Sequence, residues 1–167
     1  MQIESFEPIV NDKSTVLILG TMPGVASLKA KQYYGHPDNL FWDIMFRVCS
    51  QDWKCDEVVS TDYETKKILL LKNKIALWDV LKFCDRKGSL DRDILNQIHN
   101  DFKSFFAKYP NIKKVFFNGK SAAEYFENYR NETTIFSNRT FTTLQSTSPS
   151  NTTNSFYILN QWKQILN

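Results

Sequence analysis

Cysteine and histidine are scarce in this sequence, with three Cys and two His among 167 residues. The thiols, Cys49, Cys55 and Cys84, are odd in number and none stands at metal-ligand spacing from another. With His36 and His99 they could form a metal site only by assembly across the fold, so neither a metal nor a disulfide framework is expected. An excess of one charge is lacking too. Twenty-one basic against 18 acidic residues leave +3, too mild to announce nucleic acid and no obstacle to it. No apolar run approaches the roughly 20 residues that a bilayer demands. The opening stretch to Val10 carries two Glu and no apolar run, so no signal peptide is expected. Without repeat, low-complexity tract or linker, residues 1–167 are expected to form a single domain, cytoplasmic and monomeric.

Two nucleotide-binding signatures are also missing. Gly20-Thr21-Met22-Pro23-Gly24 lacks the third glycine of the dinucleotide fingerprint. Gly119-Lys120-Ser121 ends like a phosphate-binding P-loop, but Lys114 stands where that pattern needs glycine. Both absences disfavour a nucleotide-hydrolysing enzyme.

Aromatics, by contrast, are plentiful: 13 Phe, seven Tyr and four Trp, some of which belong at the surface or in a pocket. Residues 16–19 form a continuous apolar run stopped by Gly20, the pattern of a buried parallel strand. Residues 75–81 read as a second strand, with helix as the alternative, and 115–117 as a third, closed by Asn118-Gly119. Residues 139–145 alternate like a fourth. Helices are expected over 40–49, 95–108, from a Ser121/Glu124 capping box to 129, and over 155–166, the last with Phe156, Leu159, Trp162 and Ile165/Leu166 on one face. Strands alternating with helices predict an α/β domain with a mainly parallel sheet, whose ligands gather at the carboxyl ends of the strands.

Three segments then meet at that end. The glycine-proline turn 20–24 can aim main-chain N–H groups at a ligand, or serve as an ordinary strand exit. Trp78-Asp79 closes the second strand. Residues 146–151, Ser-Thr-Ser-Pro-Ser-Asn, offer hydroxyls and N–H groups suited to phosphate, although such loops are often plain solvated turns. The richest stretch is 33–42, Tyr-Tyr-Gly-His-Pro-Asp-Asn-Leu-Phe-Trp. It pairs an aromatic face for a planar base with polar groups that read an edge or hold a water. Asp38 or Asn39 could instead cap the following helix, His36 could be a turn residue, and Phe41/Trp42 read as core.

Taken in order, the blocks LILGTMPGVASL, QYYGHPDNLFWDIM, IALWDVLKFCDRKGSLD, VFFNGKSA and LQSTSPSN, spanning residues 17–151, resemble the uracil-DNA glycosylase superfamily, and most nearly its hypoxanthine-DNA glycosylase branch. The resemblance implies a three-layer α/β/α sandwich with a short, mainly parallel central sheet. It also implies an active site without metal or cofactor, double-stranded DNA carrying a deaminated base as partner, and monofunctional cleavage that leaves an abasic site. Tyr34 matches the aromatic on which the extruded base stacks, and Asn39 of the HPxN block the catalytic residue. Met22 stands where other branches carry a water-activating Asn or Asp. Ser148-Pro149-Ser150 matches the block that pinches phosphate and supports the leaving base, with Ser148 where relatives often have His or Asn.

The expected pocket therefore comprises Gly20, Thr21, Met22, Tyr34, Trp78 and Asp79. Asn39 is expected to orient water through its carbonyl oxygen, with His36 and Asp38 as lesser candidates. Ser146, Thr147, Ser148, Ser150 and Asn151 form the phosphate and leaving-group loop. Thr21 and Met22 are expected to give main-chain donors to the base. The rival readings are mismatch-specific uracil excision, a non-catalytic lesion-binding protein (which the departures at Met22 and Ser148 favour) and an unrelated nucleotide binder.

Overall fold

The structure, a computed structural model, describes residues 2–50, 62–130 and 136–167. Its centre is a four-stranded parallel sheet of β2 (Val16–Gly20), β3 (Ile75–Asp79), β6 (Lys114–Asn118) and β7 (Thr140–Leu144), in the order β3-β2-β6-β7. All five residues of β2 are buried, as the unbroken apolar run required of a strand covered on both faces. Its side chains alternate between two cores. Leu17 and Leu19 join one, and Val16 and Ile18 the other.

On the Val16 side lie α2 (Phe41–Cys49), α3 (Tyr63–Lys72) and α6 (Ser155–Trp162), which contribute Phe41, Ile44, Met45, Leu70, Ile158 and Trp162. On the Leu17 side lie α4 (Phe102–Lys108) and α5 (Lys120–Arg130). A short α1 (Val25–Ala30) follows the 20–24 turn. The layering is that of the expected α/β/α sandwich.

A second, smaller sheet was not apparent from the sequence. β1 (Gln2–Glu4), β4 (Leu81–Asp85) and β5 (Leu95–His99) run antiparallel in the order β1-β4-β5. The apolar run 75–81 is thus divided: β3 ends at Asp79 and, after Val80, β4 begins in the other sheet. The helix expected over 95–108 is corrected as well, since 95–99 is strand and α4 begins only at Phe102. Asn96 adopts a left-handed φ of 50°, Asn100 ties its side chain to the Asp79 carbonyl, and Asp101 caps α4 by accepting from Ser104 N–H. Each of these interrupts a continuous helix.

Two helix details differ too. Gly119, at φ 96°, turns the chain directly into α5, so Ser121 lies inside the first turn and is not the cap. The last helix buries Ile158, Trp162 and Ile165, while Phe156 and Leu166 are exposed. It tightens into a 3₁₀ turn at Lys163–Leu166, and this shifts the buried face. Of the cysteines, Cys84 is buried, Cys49 is half-buried, and Cys55 lies outside the described residues. No helix among the described residues is long and apolar enough to cross a membrane.

The Leu17-side core is a lattice of phenylalanines. Phe126, fully buried, has Phe102 at 5.0 Å, Phe117 at 5.2 Å, and Phe136 and Phe141 both at 5.4 Å between ring centroids. Phe126→Ala is expected to cost about 3–5 kcal/mol, through lost burial and the cavity left among these rings. Urea denaturation would read this as a lower midpoint at unchanged slope.

Candidate active site

The carboxyl ends of β2, β3 and β6 open into a cleft of about 670 Å³. It is lined by the 20–24 turn, by Tyr34, His36 and Asn39, by Asp79, and by residues 146–150. A fourth wall, residues 89–92, comes from the connection after β4. Sheet register explains the floor: Gly20 pairs with Asp79 across β2 and β3, and Asn118 ends the neighbouring β6.

Gly20 leaves room that no other residue would leave. A Cβ at this position would lie 2.5 Å from Asp79 Oδ1 and 2.9 Å from the Tyr34 hydroxyl. The carboxyl and the phenol therefore converge over bare backbone. Asp79 Oδ2 and Tyr34 Oη are both buried and have no hydrogen-bond partner. The third such atom among the described residues, Arg86 Nη1, sits just behind the same site. Arg86 Nη1 has Asp91 Oδ1 at 3.7 Å, but the other two have nothing, and since buried polar atoms are normally paired they mark a place built to receive a polar group.

Tyr34 is held under strain, with a left-handed φ of 52° that costs a bulky residue about 1–3 kcal/mol. Its ring stacks on Phe41 at 4.0 Å and 23°, so α2 supports one face. On its flanks, Trp42 Nε1 donates to the Tyr33 carbonyl at 2.9 Å, and Gly35 N–H donates to Ser27 Oγ at 3.0 Å. Burial and the nearby Asp79 push the Tyr34 phenol upward, and the Asn118 amide, close but beyond hydrogen-bond range, opposes this.

Asn39 sits at the head of α2 and spends its carbonyl oxygen on structure. Oδ1 accepts from Phe41 N–H at 3.0 Å and from the Thr147 hydroxyl at 2.8 Å. Thr147, fully buried, accepts in turn from Asn118 Nδ2 at 2.8 Å, while Asn118 Oδ1 receives Thr147 N–H at 2.9 Å. This chain settles the orientation of both amides. It corrects one expectation, because both lone pairs of the Asn39 carbonyl are taken and Nδ2 is the group left to act in the cleft.

The remaining expected residues divide. Thr21 and Met22 line the cleft, and neither main-chain N–H has a hydrogen-bond partner among the described residues. Ser146, Ser148 and Ser150 line it too, and the hydroxyls of Ser148 and Ser150 lie 2.9 Å apart. His36 is at the edge, with Nδ1 accepting from Asp38 N–H at 3.2 Å, which puts the neutral ring's proton on Nε2. Three residues are not brought to the cleft wall. Trp78 points the other way along β3, packs on Phe102 and Phe105, and donates to the Phe6 carbonyl. Asp38 is exposed. Asn151 supports the loop from beneath through the Ser146 carbonyl and Thr153 N–H.

The sequence reading missed Arg86, Asp91, Asn118 and Ser121. Arg86 has a fully buried side chain whose Nη1 lies 3.7 Å from Asp91 Oδ1. Its Nη2 donates to the Pro23 carbonyl, which fixes the 20–24 turn. The nearby hydroxyls of Thr21 and Ser121 favour the charged form of Asp91, as does Arg86. Asn118 carried a usable signal, a polar residue closing a strand at the ligand end of a parallel sheet. Arg86 and Asp91 carried none, since nothing in DRKGSLD says that one of its cations is buried.

Charge is arranged around Asp79. Burial first, and then the neighbouring Asp91, push its carboxyl from 3.8 up to about 8, against the opposing pull of Arg86. Asp91 is raised as well, mainly by burial. The floor of the cleft is thus close to neutral at physiological pH, with a carboxylic O–H beside a carbonyl oxygen. Among the described residues no group of three His, Cys, Asp or Glu side chains is placed to hold a metal. The arrangement suits a planar heterocycle with N–H and C=O on one edge and negative charge developing in the reaction.

Comparison with known proteins gives concordant results. The family model of the Uracil DNA glycosylase superfamily matches residues 7–165. The chain is 38% identical over 125 residues to a Hypoxanthine DNA glycosylase of Methanosarcina barkeri, covering 75% of this chain and 76% of that protein. It is 34% identical over 120 residues to a Hypoxanthine DNA glycosylase of Methanosarcina acetivorans, covering 72% and 73% respectively. Its fold is similar to the solution NMR structure of a candidate uracil DNA glycosylase from M. acetivorans. The TM-score there is 0.81 at 30% identity, over 99% of this chain and 97% of that one.

The protonated carboxyl has a consequence for stability. The unfolded chain ionises Asp79 near 3.8, whereas the folded chain keeps the proton up to about 8. In that window the folded state binds the extra proton, so this group lowers stability as pH rises. Asp79→Asn should remove the penalty, gaining several kcal/mol at pH 8, on the order of 10 °C in Tm, and little at pH 4. Thermal melts of both proteins at the two pH values check this.

Proposed function

The chain belongs to the uracil DNA glycosylase superfamily, and from that premise we propose that it is a monofunctional glycosylase that excises hypoxanthine from DNA and leaves an abasic site. The observation that carries this reading is the Asp79 carboxyl and the Tyr34 phenol meeting over Gly20 on the floor of the cleft, with Asp79 Oδ2 and Tyr34 Oη buried and unpartnered. Neutral Asp79 presents a donor beside an acceptor. Its carbonyl oxygen takes the N1–H of hypoxanthine and its O–H meets O6.

The target base is buried in the duplex and reaches the cleft only by flipping out, at a cost of a few kcal/mol that is least for a mispaired base. Tyr34, backed by Phe41, offers its remaining ring face, and stacking on an aromatic is worth about 1–3 kcal/mol. As the glycosidic bond breaks, electrons pass to the base and the sugar becomes oxocarbenium-like. The free N–H groups of Thr21 and Met22 meet the charge on the base, a role indifferent to what side chain Met22 carries. Asn39 acts through Nδ2, holding the water that adds to the sugar. Against a cationic carbon that water needs position more than prior deprotonation, and the proton it sheds on adding to the sugar passes to the departing base anion. Ser146, Ser148 and Ser150 take the flanking phosphates. The protein works as a monomer on chromosomal DNA inside the cell.

Uracil is a second substrate favoured by the same observation, because its N3–H and O4 present the edge that Asp79 reads. Single-turnover base release from matched duplexes carrying hypoxanthine, uracil, xanthine or no lesion is expected to be fastest on hypoxanthine. The rate should fall as pH rises through about 8 and flatten in Asp79→Asn. Asn39→Ala should lose roughly a hundredfold or more while still binding DNA. Retained activity there, with the loss appearing in Asp38→Ala or His36→Ala, would reassign the catalytic role. Release of no base from any duplex would make the chain a lesion-binding protein.

A further inference from the structure

The 20–24 turn is polarised. The carbonyls of Gly20, Thr21 and Gly24 accept from the N–H groups of Val80, Leu81 and Leu28 at 2.8, 3.1 and 3.0 Å. The Pro23 carbonyl accepts from Arg86 Nη2. The N–H groups of Thr21 and Met22, residues that line the cleft, have no partner among the described residues. Acceptors are thus drawn back into the protein while donors are left to a ligand, and neighbouring free N–H groups make a concavity that suits negative charge.

Three of these ties run from main chain to main chain. The fourth comes from a side chain, and that side chain is a buried cation: Arg86 is 4% exposed. Its fork is divided between two segments. Nη2 holds the turn at Pro23, and Nε donates to the Gly88 carbonyl at 3.1 Å. One planar group therefore joins the turn to the 88–89 wall, where Ser89 Oγ accepts Val25 N–H at 2.9 Å. The remaining arm, Nη1, makes no hydrogen bond, and Asp91 Oδ1 at 3.7 Å offsets its charge only loosely. Burial also pushes Asp91 toward its neutral form. A buried cation is costly unless it is paired. One left partly uncompensated behind a row of free donors gains a counter-charge when negative charge develops in the cleft.

We propose that Arg86 is a positioning residue for base release: it draws the Pro23 carbonyl back from the cleft, which aims the Thr21 and Met22 N–H groups at the departing base, and its charge favours the anion that forms there. The proposal rests on the glycosylase reading above. Arg86 does not line the cleft and acts through the turn. Lysine would keep the charge and lose the fork, since one ammonium does not reproduce a planar grip on two carbonyls.

The test compares single-turnover release of uracil and 5-fluorouracil from otherwise identical duplexes by the wild type, Arg86→Lys and Arg86→Gln. Fluorine stabilises the departing anion, so 5-fluorouracil depends less on help from the turn. Both variants should slow uracil release on the order of 10–100-fold and 5-fluorouracil release less, widening the ratio of the two rates about threefold or more. Equal slowing of both bases is the mark of a merely structural role and overturns the proposal, as do unchanged rates. A second measurement needs no turnover. In isotope-labelled wild type, the Thr21 and Met22 amide resonances should shift saturably on titration with formate, and Arg86→Lys should weaken that binding roughly fivefold or more. Amides that stay still in the wild type, or respond alike in the variant, also overturn the proposal. If the wild type releases no base, the glycosylase reading fails, and the formate titration alone decides for or against Arg86.

Discussion

Asp79 and Tyr34 share the floor of the cleft because nothing projects from Gly20 between them. A single methyl group there would lie 2.5 Å from the Asp79 carboxyl. The rest of the site is arranged around that void. β2 delivers Gly20 beside Asp79 by parallel register, and the strained backbone at Tyr34 turns its phenol to the same point. Arg86, buried behind, fastens the turn that follows Gly20. Filling the void would separate the two polar groups and push the turn off its anchor, so the site depends on one missing side chain more than on any side chain present.

A second device is the chain Asn118–Thr147–Asn39, which joins the end of β6, the hydroxyl-rich loop and the head of α2. Three segments distant in sequence are thereby held in one geometry before any ligand arrives. Such preorganisation is what lets donors in a site act on developing charge without rearranging first. It also lets Asn39 serve the fold while lining the cleft: its oxygen caps α2, and its nitrogen is left for the proposed chemistry. Choosing between capping and chemistry was not required.

How much was legible beforehand followed from the range of the forces involved. The run 16–19, the strand at 115–117 and the end of the sheet where ligands gather are matters of local pattern, and the two strands run only one residue beyond it at their ends. Most of the cleft was legible for the same reason, since its segments begin at strand ends. What escaped was decided at a distance. The division of 75–85 between two sheets depends on which partners flank it, and β5 looks helical until β4 lies beside it. Trp78 and Asp79 are equally good pocket residues on paper, yet strand alternation sends only Asp79 to the cleft. Buried Arg86 has no local signature at all, because its burial is created by Pro23 and Asp91.

The order of the central sheet bears on how the chain is made. β2 emerges early from the ribosome, but its neighbours in the sheet are β3 and β6, and β6 begins only at Lys114. At a synthesis speed of roughly 5–20 residues per second, the Val-Leu-Ile-Leu run stays without its second neighbour for on the order of 5–20 s. During that interval an apolar strand is open to pairing with other nascent chains. The parallel topology that creates the cleft also leaves that strand open during translation to whatever holds or traps unpaired strands. Its yield in a cell should therefore respond to the supply of such holding factors more steeply than its final stability alone implies.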